Sequence, residues 1–183
     1  QNSSQWPDYW TRSISYIGFY AFSQKYQNTL LYLHRYKGSD KMKITLLTVG
    51  KTDRDWVRQG LELYISRLKH YIPFSLVEIP ELKNVSALST EQIKVKEGEL
   101  ILKNIRPGDD LILMDERGKM QTSTEFAKFL QDKISYIGKD IIFVIGGAYG
   151  FSQAVYDRAD SKISLSKMTF SHQMVRAIFA EQL

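Results

Sequence analysis

The sequence predicts an α/β fold: a mostly parallel sheet with helices on both faces. Three observations carry this. From residue 42 onward, β-branched apolar runs alternate with segments of helical periodicity. The run Ile141–Ile145 is apolar at every position, as expected of a strand covered by helices on both sides. A length of 183 residues with 43% apolar and 25% charged side chains fits one folded domain, with room for an appendage, and argues against wholesale disorder.

The elements follow in order. Lys43–Val49 reads as the first strand, ending at Gly50. Arg54–His70 carries Trp56, Val57, Leu61, Tyr64, Ile65 and Leu68 close to a helical stripe, with Asp53 placed to cap it. Phe74–Ile79 is a second strand closed by Pro80. Ser89 begins a helix that runs to about Ile105 and stops before Pro107-Gly108. Asp110–Met114 is a third strand, and Ser123 or Thr124 starts a helix to about Ile137. Ile141–Ile145 is the fourth strand, Phe151–Ala159 a short helix, Ile163–Leu165 a fifth strand, and Thr169–Leu183 a final helix. That last helix offers Met174, Val175, Ile178, Phe179 and Leu183 as an apolar stripe.

Composition divides the chain near residue 41. Residues 1–41 hold six of the eleven tyrosines and two of the three tryptophans, yet show little periodicity. They read as an irregular leader or non-native extension, and Met42 as the start of the folded unit 42–183. An aromatic, weakly basic arm that stacks on RNA bases is the alternative. The net charge of +5 divides at the same point. Residues 42–183 carry twenty basic against eighteen acidic side chains, so no basic sheath for nucleic acid is visible there.

Several chemistries are excluded. Without cysteine there is no disulfide framework, zinc ribbon or thiol nucleophile. The three histidines, His34, His70 and His172, are far apart in sequence, which argues against a histidine-rich metal site. No long uncharged apolar run predicts a membrane span, and no signal-peptide pattern opens the chain, so a cytoplasmic protein is expected. The phosphate-binding loop G-x-x-x-x-G-K-[ST], the G-x-G-x-x-G turn after the first strand and the G-x-S-x-G elbow are all absent.

Ligands of open α/β sheets bind beyond the carboxyl ends of strands. Three such ends stand out. Gly146-Gly147-Ala148-Tyr149-Gly150 follows the apolar fourth strand and permits close backbone approach, or simply a tight turn. Met114-Asp115-Glu116-Arg117-Gly118-Lys119 follows the third strand as a ligand contact or a solvated loop. Leu165-Ser166-Lys167-Met168-Thr169-Phe170 leads into the last helix. Its backbone groups, hydroxyls and apolar side chains suit a purine and a thioether better than a triphosphate, although it could be no more than a helix start.

The opening MKITLLTVGK, the VEIP strand end, the KEGE run at Lys96–Glu99, FVIGGAYG and LSKMTFSHQMVR occur in an order that resembles the ribosomal large subunit methyltransferase H family. These are small SPOUT-class enzymes, and the likeness covers residues 42–183. The resemblance implies a trefoil-knotted α/β fold and a homodimer. It implies methylation of N3 of a pseudouridine in 23S rRNA of the assembled ribosome, with S-adenosyl-L-methionine as cofactor. Carried over by motif, the cofactor contacts are Met114, Gly146, Leu165, Ser166, Lys167, Met168, Thr169 and Phe170. His172, Arg176 and Glu181 also match the pattern. His172 and Arg176 are the catalytic candidates, with Arg176 expected on RNA phosphate or the partner subunit; no metal is implied. Met114 stands where relatives usually have Leu, and Ser171 where they often have Pro. The family pattern continues beyond Leu183, so a shortened carboxyl end is expected. A SPOUT enzyme acting on tRNA and a non-catalytic ribosome-binding module are the competing readings.

Overall fold

The computed structural model describes residues 42–183; the leader reading of residues 1–41 lies outside the described residues. Five strands form one all-parallel sheet: β1 (Ile44–Val49), β2 (Phe74–Ile79), β3 (Asp110–Met120), β4 (Ile141–Ile145) and β5 (Ser161–Ser164). Their order in the sheet is β2-β1-β4-β3-β5. Helices α1 (Asp55–Leu68), α2 (Thr90–Lys103), α3 (Ser123–Asp132), α4 (Gln153–Arg158) and α5 (His172–Gln182) connect and cover them. The predicted fold class holds.

Strand β4 lies at the centre, and all five of its residues are buried. Its side chains alternate between two cores. Ile142 and Val144 join Leu47, Val49, Leu111 and Leu113 beneath α2 and α4, where Ile101, Phe151 and Val155 close the layer. On the opposite face, the Phe143 ring lies 4.6 Å from that of Phe179 on α5, and Phe126 of α3 meets both edge-on at 6.2 Å. Three elements distant in sequence thus share one aromatic contact.

The ends of the elements show what sequence patterning missed. Arg54, not Asp53, is the cap position of α1, and no side chain caps it. Trp56, expected on the buried stripe, is 62% exposed, and α1 buries Val57, Leu61 and Leu68 instead. Ser89 with Gln92 and Thr122 with Glu125 form capping boxes: α2 starts at Thr90, one residue after the predicted Ser89, and α3 at Ser123, where the pattern places it. The last helix begins at His172 and not Thr169, because the Ser171 hydroxyl accepts from the Met174 N–H. The predicted apolar stripe of α5 is only part of its inner face, which buries Gln173, Arg176, Phe179 and Ala180.

The largest difference is β3. It runs beyond Met114 to Met120, with a shift of register between Met114 and Lys119, both of which pair with Ile163. Gly118 permits this return: a Cβ there would strike the Ile163 backbone. At the opposite end of the sheet, the Arg106 guanidinium bridges Asp109 and Asp140, and Lys133 pairs with the buried Asp110.

The aromatic contact gives a stability prediction. Phe143→Ala leaves a cavity between β4, α3 and α5 and should cost about 3–5 kcal/mol. Denaturant unfolding followed by circular dichroism measures it; a loss below about 1 kcal/mol would show that the rings are not a shared support.

Candidate functional site

The carboxyl ends of β3, β4 and β5 open onto one cleft of about 500 Å³. Its walls come from three segments: Met114–Arg117, Ile145–Phe151 and Ile163–His172, with Tyr156 and Val175 added from α4 and α5. Of the eight residues carried over as cofactor contacts, Met114, Gly146, Leu165, Ser166, Met168, Thr169 and Phe170 line the cleft. Lys167 lies in the same loop but not on the wall.

The loop after β4 owes its shape to small residues. Gly150 has φ +82°, a conformation that side-chain-bearing residues rarely adopt. Gly146 and Gly147 serve close packing instead. A Cβ on Gly146 would lie 3.0 Å from the Phe151 ring, and one on Gly147 would lie 2.5 Å from a Glu97 carboxylate oxygen. A branched residue at 146 therefore presses first on the core ring of Phe151, which is only 6% exposed.

The loop after β5 is shaped by serines. Ser164 Oγ donates to the Ser166 carbonyl at 3.0 Å, and Ser166 Oγ accepts from the Met168 N–H at 2.9 Å. These turns leave Met168 74% exposed, and Tyr149 and Phe170 stand out beside it at 53% and 39%. Large apolar side chains exposed around a cleft mark a surface that contacts a ligand or partner.

Asp115 supplies a fixed negative charge on the β3 wall. One carboxylate oxygen accepts from the Arg117 N–H at 2.7 Å, and the other accepts from the Tyr156 hydroxyl. Partial burial, together with the hydrogen bond to Asp115 and its charge, pushes the Tyr156 phenol up to about 12. Lys162 sits over the Tyr156 ring, 5.3 Å from its centre. Tyr156 escaped the sequence reading because a tyrosine on a short helix carries no local motif.

Arg176 requires a correction. Expected on RNA phosphate or a partner subunit, it is instead fully buried. Its guanidinium donates to Thr52 Oγ1 at 2.9 Å, to the Val49 carbonyl at 2.8 Å and to the His172 carbonyl at 3.2 Å. Glu78 completes the network: it accepts from both the N–H and the hydroxyl of Thr52 and lies 3.5 Å from Arg176. Burial lowers the Arg176 pKa, while Glu78, Asp53 and Glu81 act to raise it. The residue ties α5 to the ends of β1 and β2. His172, the other catalytic candidate, does line the cleft. Glu181 accepts from Tyr64 of α1 at 3.0 Å, away from the cleft wall.

The KEGE run supports the glycine loop from beneath. Gly98 lets α2 pass so close to Ser152 that a Cβ would strike its hydroxyl. Glu97 packs on Gly147, and one of its oxygens is buried without a hydrogen-bond partner. Burial first, and the charge of Glu81 second, raises its pKa.

Two outcomes are expected. Arg176→Ala should destabilise the fold by about 3–5 kcal/mol, because the buried acceptors around Thr52 lose their partner; thermal or denaturant unfolding checks it, and a cost below about 1 kcal/mol would exclude the tie. For Glu97 the fold favours the protonated form. Its contribution is therefore present below the unfolded carboxyl pKa and lost as pH rises through the higher folded value. Glu97→Gln should thus gain in melting temperature relative to wild type as pH rises from 4 to 8 (about the span in which such a carboxyl titrates); a constant difference across that span would contradict this.

Comparison with known proteins agrees with the geometry. A family model described as predicted SPOUT methyltransferase matches residues 42–183. A ribosomal RNA large subunit methyltransferase H of Parabacteroides distasonis is 55% identical over 142 residues, which are 78% of this chain and 90% of the relative. The protein of the same name from Bacteroides fragilis is 53% identical over the same share of each chain. That of Cytophaga hutchinsonii is 51% identical, over 78% of this chain and 91% of its own. With its cleft at the carboxyl ends of three parallel strands and the family model spanning every described residue, the chain belongs to the SPOUT methyltransferase family.

Proposed function

We propose that the protein methylates N3 of a pseudouridine in 23S rRNA of the assembled ribosome, with S-adenosyl-L-methionine as methyl donor. The observation that carries the reading is convergence. Met114, Gly146 and the Leu165–Phe170 loop, separated by tens of residues in sequence, meet on one cleft whose size suits a small cofactor. The names of relatives at 51–55% identity supply the substrate class.

The residues present fit this cofactor. Apolar side chains and the backbone of the cleft loops suit an adenine ring and a thioether, and Asp115 and Glu116 on the β3 wall complement a cationic sulfonium. When bound, S-adenosylmethionine supplies an electrophilic methyl group that needs no metal and no covalent nucleophile. The protein's work is then to hold donor and base in attack geometry. The turns at Ser164 and Ser166 set the backbone of the Leu165–Phe170 loop, and Lys167, in the same loop, completes the proposed set. Met168, Phe170 and Tyr149 form an apolar rim suited to an unstacked base. In this reading His172, which lines the cleft, is the residue that meets the N3 proton of the target.

The same reading includes a homodimer and the trefoil-knotted chain path of the family. Trp56 and Leu63, 62% and 50% exposed on α1, support an apolar interface between copies. No helix of the described residues is long and apolar enough to cross a membrane, which agrees with a cytoplasmic ribosome modifier.

Methyl transfer from labelled donor to ribosomes lacking the modification tests the proposal. Label is expected in 23S rRNA at a pseudouridine; label in tRNA alone, or none with bound cofactor, would reject it. His172→Ala is expected to lower turnover by about 10²–10⁴-fold while cofactor affinity changes little. Unchanged turnover would remove His172 from the chemistry.

A further inference from the structure

Asp115 has a bonding pattern that calls for a particular ligand group. Its carboxylate sits on the cleft wall at the carboxyl end of β3, half-buried. Each oxygen already accepts one hydrogen bond from the protein, one from the Arg117 N–H and one from the Tyr156 hydroxyl. A carboxylate oxygen accepts about two, so each keeps capacity for one more donor. The Tyr156 ring is itself held, edge-on to Phe151 at 5.8 Å and beneath Lys162. The carboxylate is therefore a fixed pair of acceptors, whereas the neighbouring Glu116 is exposed.

We propose that Asp115, oriented by Tyr156, receives the two vicinal ribose hydroxyls of the bound methyl donor. The assignment rests on the cofactor reading above. Two adjacent O–H donors match two oxygens that each have one place left. A carboxylate at a strand's carboxyl end is the acceptor by which another class of α/β sheet holds ribose. A ligand that closes over Asp115 without donors would strand a charged acceptor away from water, which is costly. Asp115 is a binding residue in this account, and Tyr156 is a positioning residue that acts through it.

Calorimetry on the full chain tests the assignment with S-adenosylhomocysteine, its 2′-deoxy analogue and 5′-methylthioadenosine. Loss of the 2′-hydroxyl should weaken binding to the wild type about tenfold, and binding to Asp115→Ala less than about twofold. Tyr156→Phe keeps the ring packing and should lose about threefold in affinity for the hydroxylated ligand, narrowing its advantage over the deoxy form; it keeps the test readable if Asp115→Ala fails to fold. Equal deoxy penalties in wild type and variants would overturn the assignment. So would an Asp115→Ala or Tyr156→Phe loss confined to S-adenosylhomocysteine and absent with 5′-methylthioadenosine, because the carboxylate would then serve the amino-acid ammonium. A wild type that binds none of the three overturns the cofactor reading itself, and this assignment with it.

Discussion

The burial of β4 on both faces is the constraint from which the rest of the structure follows. A strand with five apolar residues and neighbours on both edges can be stable only in the middle of a parallel sheet with helices above and below. The chain must then leave β4 at its carboxyl end and turn at once into α4. Gly146, Gly147 and Gly150 make that turn without side chains that would collide with Phe151, Glu97 or the backbone itself. The bare backbone that results lies beside the ends of β3 and β5. The cleft is thus a consequence of topology, and the residues around it are those that tolerate close approach.

Helix α5 has to be held against this sheet for the cleft to have a third wall. Its Phe179 ring packs on Phe143, which supplies apolar attachment in the middle of the helix. At its amino end the attachment is polar. Arg176 spends its donors on Val49, Thr52 and its own helix at His172. A guanidinium at full burial is expensive unless each N–H finds an acceptor and a counter-charge stands near, and Glu78 supplies that charge. The planar fork of arginine bridges a strand end, a loop hydroxyl and a helix carbonyl together, which a lysine could not do. Position 172 on the cleft is therefore set from the carboxyl end of β1 and from β4, by Val49, Thr52 and Phe143, which lie outside the cleft lining.

Much of this was legible in the residues. The strands Phe74–Ile79 and Ile141–Ile145 follow from β-branched runs bounded by proline and glycine, and they stand where the pattern places them. The cleft loops were legible too, since strand ends in an open sheet are where ligands bind. Other features depend on partners that no local pattern announces. Arg176 was expected on RNA phosphate or a partner subunit because it matches the family motif; its acceptors Thr52 and Val49 lie more than a hundred residues earlier in the chain. Trp56 fitted the helical stripe by spacing, yet it falls just outside the buried arc of Val57, Leu61 and Leu68. The return of β3 onto β5 rests on Gly118 meeting the backbone of Ile163, a contact between two segments that read as independent.

Charge ties these features to the kind of partner that suits the molecule. With twenty basic and eighteen acidic side chains, residues 42–183 offer little general attraction for a phosphate backbone. The cleft itself bears Asp115 and Glu116 on one wall and exposed Met168, Phe170 and Tyr149 around it. Such a surface discriminates by shape and stacking rather than by counting phosphates. A substrate presented as a folded pocket, with one base already accessible, needs only that kind of recognition. The apolar rim of Met168, Phe170 and Tyr149 can then meet the base directly.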